Sequence, residues 1–321
     1  MSEPIAAYDS SDMGTAVLPG RTALEIAEVR ALSGQSNARG LLQFAAHVTI
    51  MGATGVLVWL AQPHWYWLIP AMVLHGFTIV TMFAPMHECV HRTAFATRSL
   101  NEIFGWIAGL LSFYNFHYYR HYHTWHHRFT QDPEKDPELM TPKPRNFWQY
   151  LLELSGLTFW LFRPWLFLNL ALGRTQKYAF LPERARTGVA ISAAVQLGVY
   201  LAGIASIIWG PPWVLYYWFL PAILAQPLLR AILIVEHTGC SQDQNGLTNT
   251  RTTLTIFPVW ILMWNMPYDA EHHLYPSIPF HELPHAHQKL REKLSHIAPS
   301  YVAANREVVS SLHSTPPGGA A

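Results

Sequence analysis

The sequence predicts an all-α, polytopic membrane protein with four transmembrane helices and a cytoplasmic helical cap that carries a histidine-rich di-metal site. Of its 321 residues, 13% are charged and 50% are hydrophobic, whereas about 25% of the residues in soluble domains are charged. Four apolar stretches are long enough to cross a hydrocarbon core of about 30 Å. The 18 histidines include clusters just beyond the ends of these stretches, where ligands of one site can meet.

The four predicted spans are residues 41–62, 65–86, 188–209 and 212–235. The first three contain no Lys, Arg, Asp or Glu, and the fourth contains only Arg230, close to its end. At about 1.5 Å per residue, a helix of each length crosses the apolar part of a bilayer.

Two other apolar stretches are expected to lie as helices in the membrane interface. Residues 103–116 are fewer than the roughly 20 that a span needs. Residues 147–172 carry Glu153 and are interrupted by Arg163 and Pro164, and a charge at mid-bilayer costs about 2.5 to 3.5 kcal/mol. If either stretch crossed alone, the histidine clusters would be divided between two sides of the membrane.

The distribution of basic residues predicts the orientation. The short turns between spans one and two and between spans three and four contain no Lys or Arg, so both termini and the histidine clusters are expected on the cytoplasmic side. We expect residues 1–40 to form an N-terminal tail without a signal peptide, residues 41–294 the membrane domain, and residues 295–321 a C-terminal tail that is disordered after His313. A bacterial inner membrane is the expected location.

Charge and cysteine content exclude some classes of protein. Lys and Arg number 21 against 20 Asp and Glu, so no basic surface is expected for nucleic acid, and the expected surroundings are membrane lipids. Cys89 and Cys240 are the two cysteines. They do not form a disulfide framework, which fits a reducing compartment.

Nine side chains form the predicted metal site. On a helix, His123, His126 and His127 fall within an arc of about 100° and can point at one locus, while His87 and His91 are one turn apart. An Asp-x-x-His-His segment near the C terminus repeats the first spacing with a carboxylate in first place. Nine donors suffice for two ions with four or five ligands each, which predicts a dinuclear centre. The predicted ligands, with no catalytic residue beyond them, are His87, His91, His123, His126, His127, His237, Asp269, His272 and His273.

Other polar residues are given different expectations. His117 and His121 lie about 120° and 160° around the helix from His123, so they are expected to face away from the site. Glu88, Glu236 and Glu271 each adjoin a predicted ligand and either orient an imidazole or are simply solvated. Surface or supporting roles are expected for His281, His285 and His287, and either Asp132 or Asp136 could orient a ligand or bind a polar head group.

These residues resemble the motifs of the membrane fatty acid desaturase family, part of an integral-membrane di-iron superfamily. The resemblance covers roughly residues 41–294 and rests on three boxes, His-Glu-Cys-Val-His from residue 87, His-Thr-Trp-His-His from residue 123, and Asp-Ala-Glu-His-His from residue 269. It implies four spans and a cytoplasmic cap holding two irons, which activate dioxygen as co-substrate and abstract hydrogen from an acyl chain. It also implies a separate electron donor of ferredoxin or cytochrome b5 type with its reductase, because this sequence contains no haem-binding His-Pro-Gly-Gly segment.

One position departs from the family pattern, because the third box usually begins with His and here begins with Asp269. A carboxylate can replace an imidazole as a ligand, but it lowers iron redox potentials and can bridge or open a site. The resemblance therefore supports a di-iron, oxygen-activating enzyme more firmly than an ordinary fatty acyl desaturase.

The expected reaction is formation of a carbon-carbon double bond in a fatty acyl or lipid-like chain. A hydroxylase or ketolase acting on a lipid, a carotenoid or another hydrophobic metabolite is the alternative on the same scaffold. A zinc-dependent membrane hydrolase is more distant, because one zinc needs only three or four protein ligands. A metal transporter would place its ligands inside the spans, whereas these lie beyond the span ends.

Overall fold

The computed structural model describes residue 20 and residues 22–314, with side chains described up to residue 312. Helices dominate this part of the chain, and the only sheet within it has two strands of two residues each. In chain order the elements are α1 (Ile26–Leu32), α2 (Asn37–Ala61), α3 (Trp65–Val80), α4 (Phe83–His91), α5 (Arg98–Leu111), α6 (Phe116–Phe129), α7 (Phe147–Leu154), α8 (Leu157–Ala171), α9 (Glu183–Trp209), α10 (Leu220–Leu233), β1 (Thr252–Thr253), α11 (Phe257–Leu262), α12 (Asp269–Leu274), α13 (Leu283–Leu290), β2 (Ile297–Ala298) and α14 (Tyr301–Ser314).

The first two apolar helices form an antiparallel pair. Helix α2 begins where the Ser36 side chain accepts a hydrogen bond from the Arg39 backbone N–H, which satisfies one of the free donors of the first turn. After a short turn, α3 and α4 run on as one apolar segment, Trp65–His91. This segment ends at Arg92, which has a left-handed backbone with φ 62°, so His87 and His91 occupy the last turns of a membrane-length helix.

By length and composition, three helical segments within the described residues can cross a membrane: Asn37–Ala61, Trp65–His91 and Glu183–Trp209. A fourth is obtained if α7 and α8, which meet at a bend of 57°, form one broken span. The stretch predicted as the fourth span is also helical. A π-helical segment at Leu215–Phe219 interrupts it, however, and leaves α10 with 14 residues, which is shorter than a span. The part of the chain that the structure describes therefore has three or four candidate spans, and the four-span arrangement stays a prediction.

Helix α5 covers most of the shorter stretch that was expected to lie in the interface, and its 14 residues fall below the roughly 20 of a span. It packs closely against α4 and α6 at Gly105. A Cβ atom there would lie 2.3 Å from the Phe116 ring and 2.7 Å from Cβ of Cys89. The absence of a side chain at this position lets the two histidine-bearing helices share one neighbour.

A buried polar network holds the start of α6 against α9. The Asn115 side chain accepts a hydrogen bond from the Tyr118 backbone N–H and donates to Gln196 Oε1 at 2.7 Å. Gln196 in turn donates from Nε2 to the Tyr114 carbonyl at 3.0 Å. Since buried amides are costly without partners, this network fixes where α6 begins and hence where its histidines lie.

The described parts of both tails pack against the rest of the chain. Leu24 and Leu32 are buried in one cluster with residues of α12 and α13, and the Leu24 backbone N–H donates to the Tyr275 hydroxyl at 2.7 Å. Near the C terminus, β2 pairs in parallel with β1. The boundaries at residues 40 and 295 stay predictions, and the expected disorder at the end of the chain falls largely outside the described residues.

Candidate metal centre

The first group of histidines combines side chains from three helices. It consists of His87 and His91 from α4, His123 and His127 from α6, and His272 from α12, with one nitrogen of each lying within 4.8 Å of the others. Nε2 of His127 is 2.9 Å from Nε2 of His123, and Nε2 of His272 is 3.2 Å from Nε2 of His91. Two nitrogens bound at about 2.1 Å and at right angles to one metal ion would be about 3.0 Å apart, so these distances fit a shared ion.

The second group consists of His126 from α6, His237 after α10, and His273 from α12. Nε2 of His126 lies 3.2 Å from Nε2 of His237. The two groups adjoin each other, because the rings of His127 and His273 stack with centroids 4.0 Å apart. The structure thus brings the eight predicted histidines together as two neighbouring groups rather than at one locus.

Hydrogen bonds orient every imidazole of the second group. His126 donates from Nδ1 to Asp136 Oδ1 at 2.9 Å, and His237 donates from Nδ1 to the Asn249 carbonyl at 3.2 Å. Thr130 gives its hydroxyl hydrogen to the His126 carbonyl and so accepts from Nδ1 of His273 at 3.2 Å. With Nδ1 engaged in each ring, Nε2 is the atom available to a metal ion.

Asp269, the ninth predicted ligand, lies beside the second group. Its Oδ1 atom is 3.7 Å from Nε2 of His273, and its Oδ2 atom is 3.8 Å from Nε2 of His237. The residue is 3% exposed, and Oδ2 has no hydrogen-bond partner among the described residues. A buried, unpaired carboxylate is costly, and a cation between it and the three imidazoles would compensate its charge. The donor set therefore fits a metal ion.

The electrostatics of the rings also suit metal binding. Burial, followed by neighbouring imidazoles, holds the pKa values of His123, His127, His272 and His273 well below their usual range. These rings are therefore neutral and have a lone pair to offer. For His126, burial lowers the pKa, but the carboxylates of Glu138 and Asp136 outweigh burial and raise it to about 9. Carboxyl groups are thus concentrated at the second group, where burial raises the pKa of Asp269 well above its usual value.

Asp136, and not Asp132, is the carboxylate that orients a predicted ligand. Asp136 Oδ2 also accepts the Gln131 backbone N–H at 2.8 Å, which holds the carboxylate in place. Asp132 accepts the backbone N–H groups of Glu134 and Lys135 instead. The sequence left both residues open because the segment between Thr130 and Pro137 has no helical phase from which to choose.

The glutamates next to predicted ligands do not hydrogen-bond those imidazoles in the described structure. Glu88 accepts from the Thr93 hydroxyl at 2.7 Å, and Glu271 accepts from the Thr252 hydroxyl and from His287 Nδ1, both at 2.5 Å. Burial raises the pKa of Glu236 well above its usual value, and so do the nearby carboxylates of Asp269 and Glu138. Glu88 and Glu271 are buried, so neither of the two roles left open for them, orienting a ligand ring or being solvated, is found. Asp136, Thr130 and the Asn249 carbonyl orient the rings of the second group instead.

The histidines that were set aside lie outside both groups. His117 and His121 are half-buried on another face of α6, as the helical phase predicted. His281 and His285 contact Glu282 on the surface side of α13. His287 supports the site region only indirectly, through Glu271.

Glu138 is a residue near the site that was not among the predicted ligands. Its Oε2 atom lies 3.7 Å from Nε2 of His126, the nitrogen of that ring that Asp136 leaves free. It belongs to a short 3₁₀ turn, Pro137–Met140, where the periodicity used to select ligands does not apply. Its position two residues after Asp136 was the signal available, but that signal has meaning only once Asp136 is known to contact His126.

Helices long and apolar enough to cross a membrane, together with two adjoining imidazole groups that could hold metal ions, define the class of this helical protein. Comparison with known sequences agrees with this class. The family model described as Fatty acid desaturase matches residues 63–305, which is most of the chain. This chain belongs to the fatty acid desaturase family, whose members are oxidoreductases.

Individual relatives are distant but extensive matches. The chain is 26% identical over 267 residues to an sn-1 oleoyl-lipid 12-desaturase of Picosynechococcus sp., covering 76% of this chain and 75% of the relative. A protein of the same name from Anabaena variabilis is 24% identical over 252 residues, covering 73% and 71%. A chloroplastic omega-6 fatty acid desaturase of Arabidopsis thaliana is 24% identical over 268 residues, covering 76% of this chain and 58% of the relative.

Proposed function

We propose that this protein is an oxygen-dependent di-iron desaturase that introduces a carbon-carbon double bond into a fatty acyl or lipid-like chain. The observation that carries the proposal is the pair of adjoining imidazole groups on α6 in a chain of the desaturase family. The names of the relatives, which refer to lipid and fatty acid desaturation, support an acyl chain as substrate.

The nine predicted ligands divide naturally between two ions. Five imidazoles would hold one ion, and His126, His237, His273 and Asp269 would hold the other. Imidazole with carboxylate suits iron, and no cysteine lies in either group, which disfavours structural zinc or an iron-sulfur cluster. When bound, the two irons with dioxygen would supply the oxidising power for removing hydrogen from an unactivated C–H bond.

Residues of the protein would orient the metal ligands and keep water away from the acyl substrate. The Tyr119 ring stacks on the His123 ring with centroids 5.0 Å apart, and its hydroxyl lies 3.3 Å from Nδ1 of His123. Phe83 and Tyr114 pack around Tyr119 and extend the buried aromatic layer toward the apolar helices. An acyl chain entering from the membrane would meet apolar surface next to the first group.

The proposed reaction also requires electrons from outside the substrate. Removing two hydrogens from the substrate and reducing dioxygen to two waters requires two further electrons and two protons. We propose a separate ferredoxin or cytochrome b5-type donor with its reductase as the source. We further propose four spans with both termini and the metal centre on the cytoplasmic side of a bacterial inner membrane, which the positions of the basic residues support.

Expression in a host of known lipid composition, followed by mass spectrometry of the lipids, tests the proposal. The expected product is lighter than its precursor by two hydrogens and has gained no oxygen. Growth under ¹⁸O-labelled dioxygen adds a decisive control. Label in the modified lipid would show hydroxylation or ketone formation instead, and purified protein holding one zinc and no iron would favour a hydrolase.

A further inference from the structure

We propose that Glu138 is a ligand of the metal ion held by the second group, together with Asp269. The inference rests on the proposed di-metal centre and extends it to a residue outside the three histidine boxes. The second ion would then have five protein donors, as many as the first group offers.

The position of Glu138 relative to His126 carries the inference. Each nitrogen of the His126 ring has a carboxylate near it. Asp136 Oδ1 lies 2.9 Å from Nδ1, and Glu138 Oε2 lies 3.7 Å from Nε2. The Asp269 oxygens stand at 3.7 and 3.8 Å from the Nε2 atoms of His273 and His237. Glu138 therefore lies about as far from its nearest imidazole as Asp269 lies from the other two.

One residue fixes both the ring and the glutamate. Asp136 Oδ1 accepts the His126 Nδ1–H and also the Glu138 backbone N–H, each at 2.9 Å. Pro137 begins the short turn between them and restricts its backbone. Asp136 thus anchors the His126 ring and the Glu138 backbone side by side.

No donor among the described residues makes a hydrogen bond to the carboxylate of Glu138, whose side chain is 34% exposed to solvent. Its one ion-pair contact among these residues is with His126 Nε2. The nearby ammonium group of Lys143 donates instead to Gln131 Oε1 at 2.8 Å and to the His237 carbonyl at 3.3 Å. When Nε2 of His126 is bound to a metal ion it carries no proton, so Glu138 would face the ion itself.

The two ions would then have environments of different charge. The first group offers five neutral imidazoles, whereas the second would offer three imidazoles and two carboxylates. Because carboxylates are negatively charged, they stabilise the oxidised, more positive state of a bound ion more than its reduced state. The second ion should therefore bind more tightly and have the lower reduction potential of the two.

Metal binding by the purified full-length protein tests the role of Glu138. The protein, stripped of metal and kept in detergent, is titrated with Co²⁺ while the visible absorption of the bound ion is recorded. The isosteric variant Glu138→Gln is compared with Glu134→Gln, a control in the same loop whose side chain is exposed. We expect two ions in the wild type and in Glu134→Gln, and at least a tenfold weaker second ion with a changed spectrum in Glu138→Gln.

The outcomes separate this inference from the proposed function. Two ions with unchanged affinity and spectrum in Glu138→Gln would overturn the role of Glu138 and leave the di-metal centre standing. A wild type that binds fewer than two ions would overturn both. Should Glu138→Gln not fold, Glu138→Asp keeps the test open, because it retains the charge and should restore two ions with only a partial loss of affinity.

Discussion

His126 and His127 are consecutive residues of α6, yet their rings serve different groups. The ring centroids are 5.9 Å apart and the planes are inclined by 74°. A step of about 100° along the helix turns one ring toward His237 and the other toward His91 and His272. A single helix turn therefore contributes to both candidate metal sites, and changes along it should have separable effects.

Replacement of His126 tests the helical phase. His126→Ala removes the ring that would bind the second ion, so activity should be abolished and bound iron reduced. His121→Ala, on another face of α6, should keep iron near the wild-type level. Iron content per protein measured by plasma mass spectrometry decides between them, and equal losses in both variants would contradict the assignment.

Changes at Asp269 test whether a carboxylate completes the second group. Asp269→His restores the usual first residue of the third box and should retain two metal ions. Asp269→Ala leaves three imidazoles without their charged partner, and one ion should be lost. Metal stoichiometry after dialysis is the measurement, and full occupancy in the alanine variant would remove Asp269 from the ligand set.

Asp136 should act as a positioning residue for His126. Partners that orient ligand imidazoles typically change metal affinity by about 10- to 100-fold when removed, so Asp136→Asn should weaken the second ion by an amount in this range. Asp132→Asn is the matched control, because Asp132 contacts backbone N–H groups and Gln244 rather than a ligand. Similar affinities in the two variants, measured by competition with a chelating dye, would argue against the role of Asp136.

Gly105 should be essential for the close packing of α5 with α6. A Cβ atom at this position meets the Phe116 ring at 2.3 Å, and overpacking of this kind costs about 1–3 kcal/mol. Gly105→Ala should therefore lower the midpoint of thermal unfolding in detergent. Gly198→Ala in α9, where a Cβ atom meets nothing within 4 Å, should leave the midpoint unchanged or raise it slightly. A drop of equal size in both variants would show that the contact is not the cause.

Several features followed from local sequence patterns. The long apolar stretches predicted helices, and those at Asn37–Ala61, Trp65–His91 and Glu183–Trp209 are confirmed as long and apolar enough to span a membrane. The resemblance of the three boxes to the motifs of the desaturase family predicted membership of that family, which the family comparison confirms. The phase of α6 separated His121 from His123, because periodicity acts within one helix.

The tertiary structure decided what links segments far apart in the chain. It divided the eight histidines into two groups, placed Asp269 beside His237 and His273, and brought Glu138 to His126 from a turn without helical periodicity. The sequence by itself determined which helices carry donors and on which face. Which donors share an ion depends on how α4, α6 and α12 pack, and on loops anchored by Asp136 and Asn249. Those distances arise from contacts between distant residues, about which spacing along one segment carries no information.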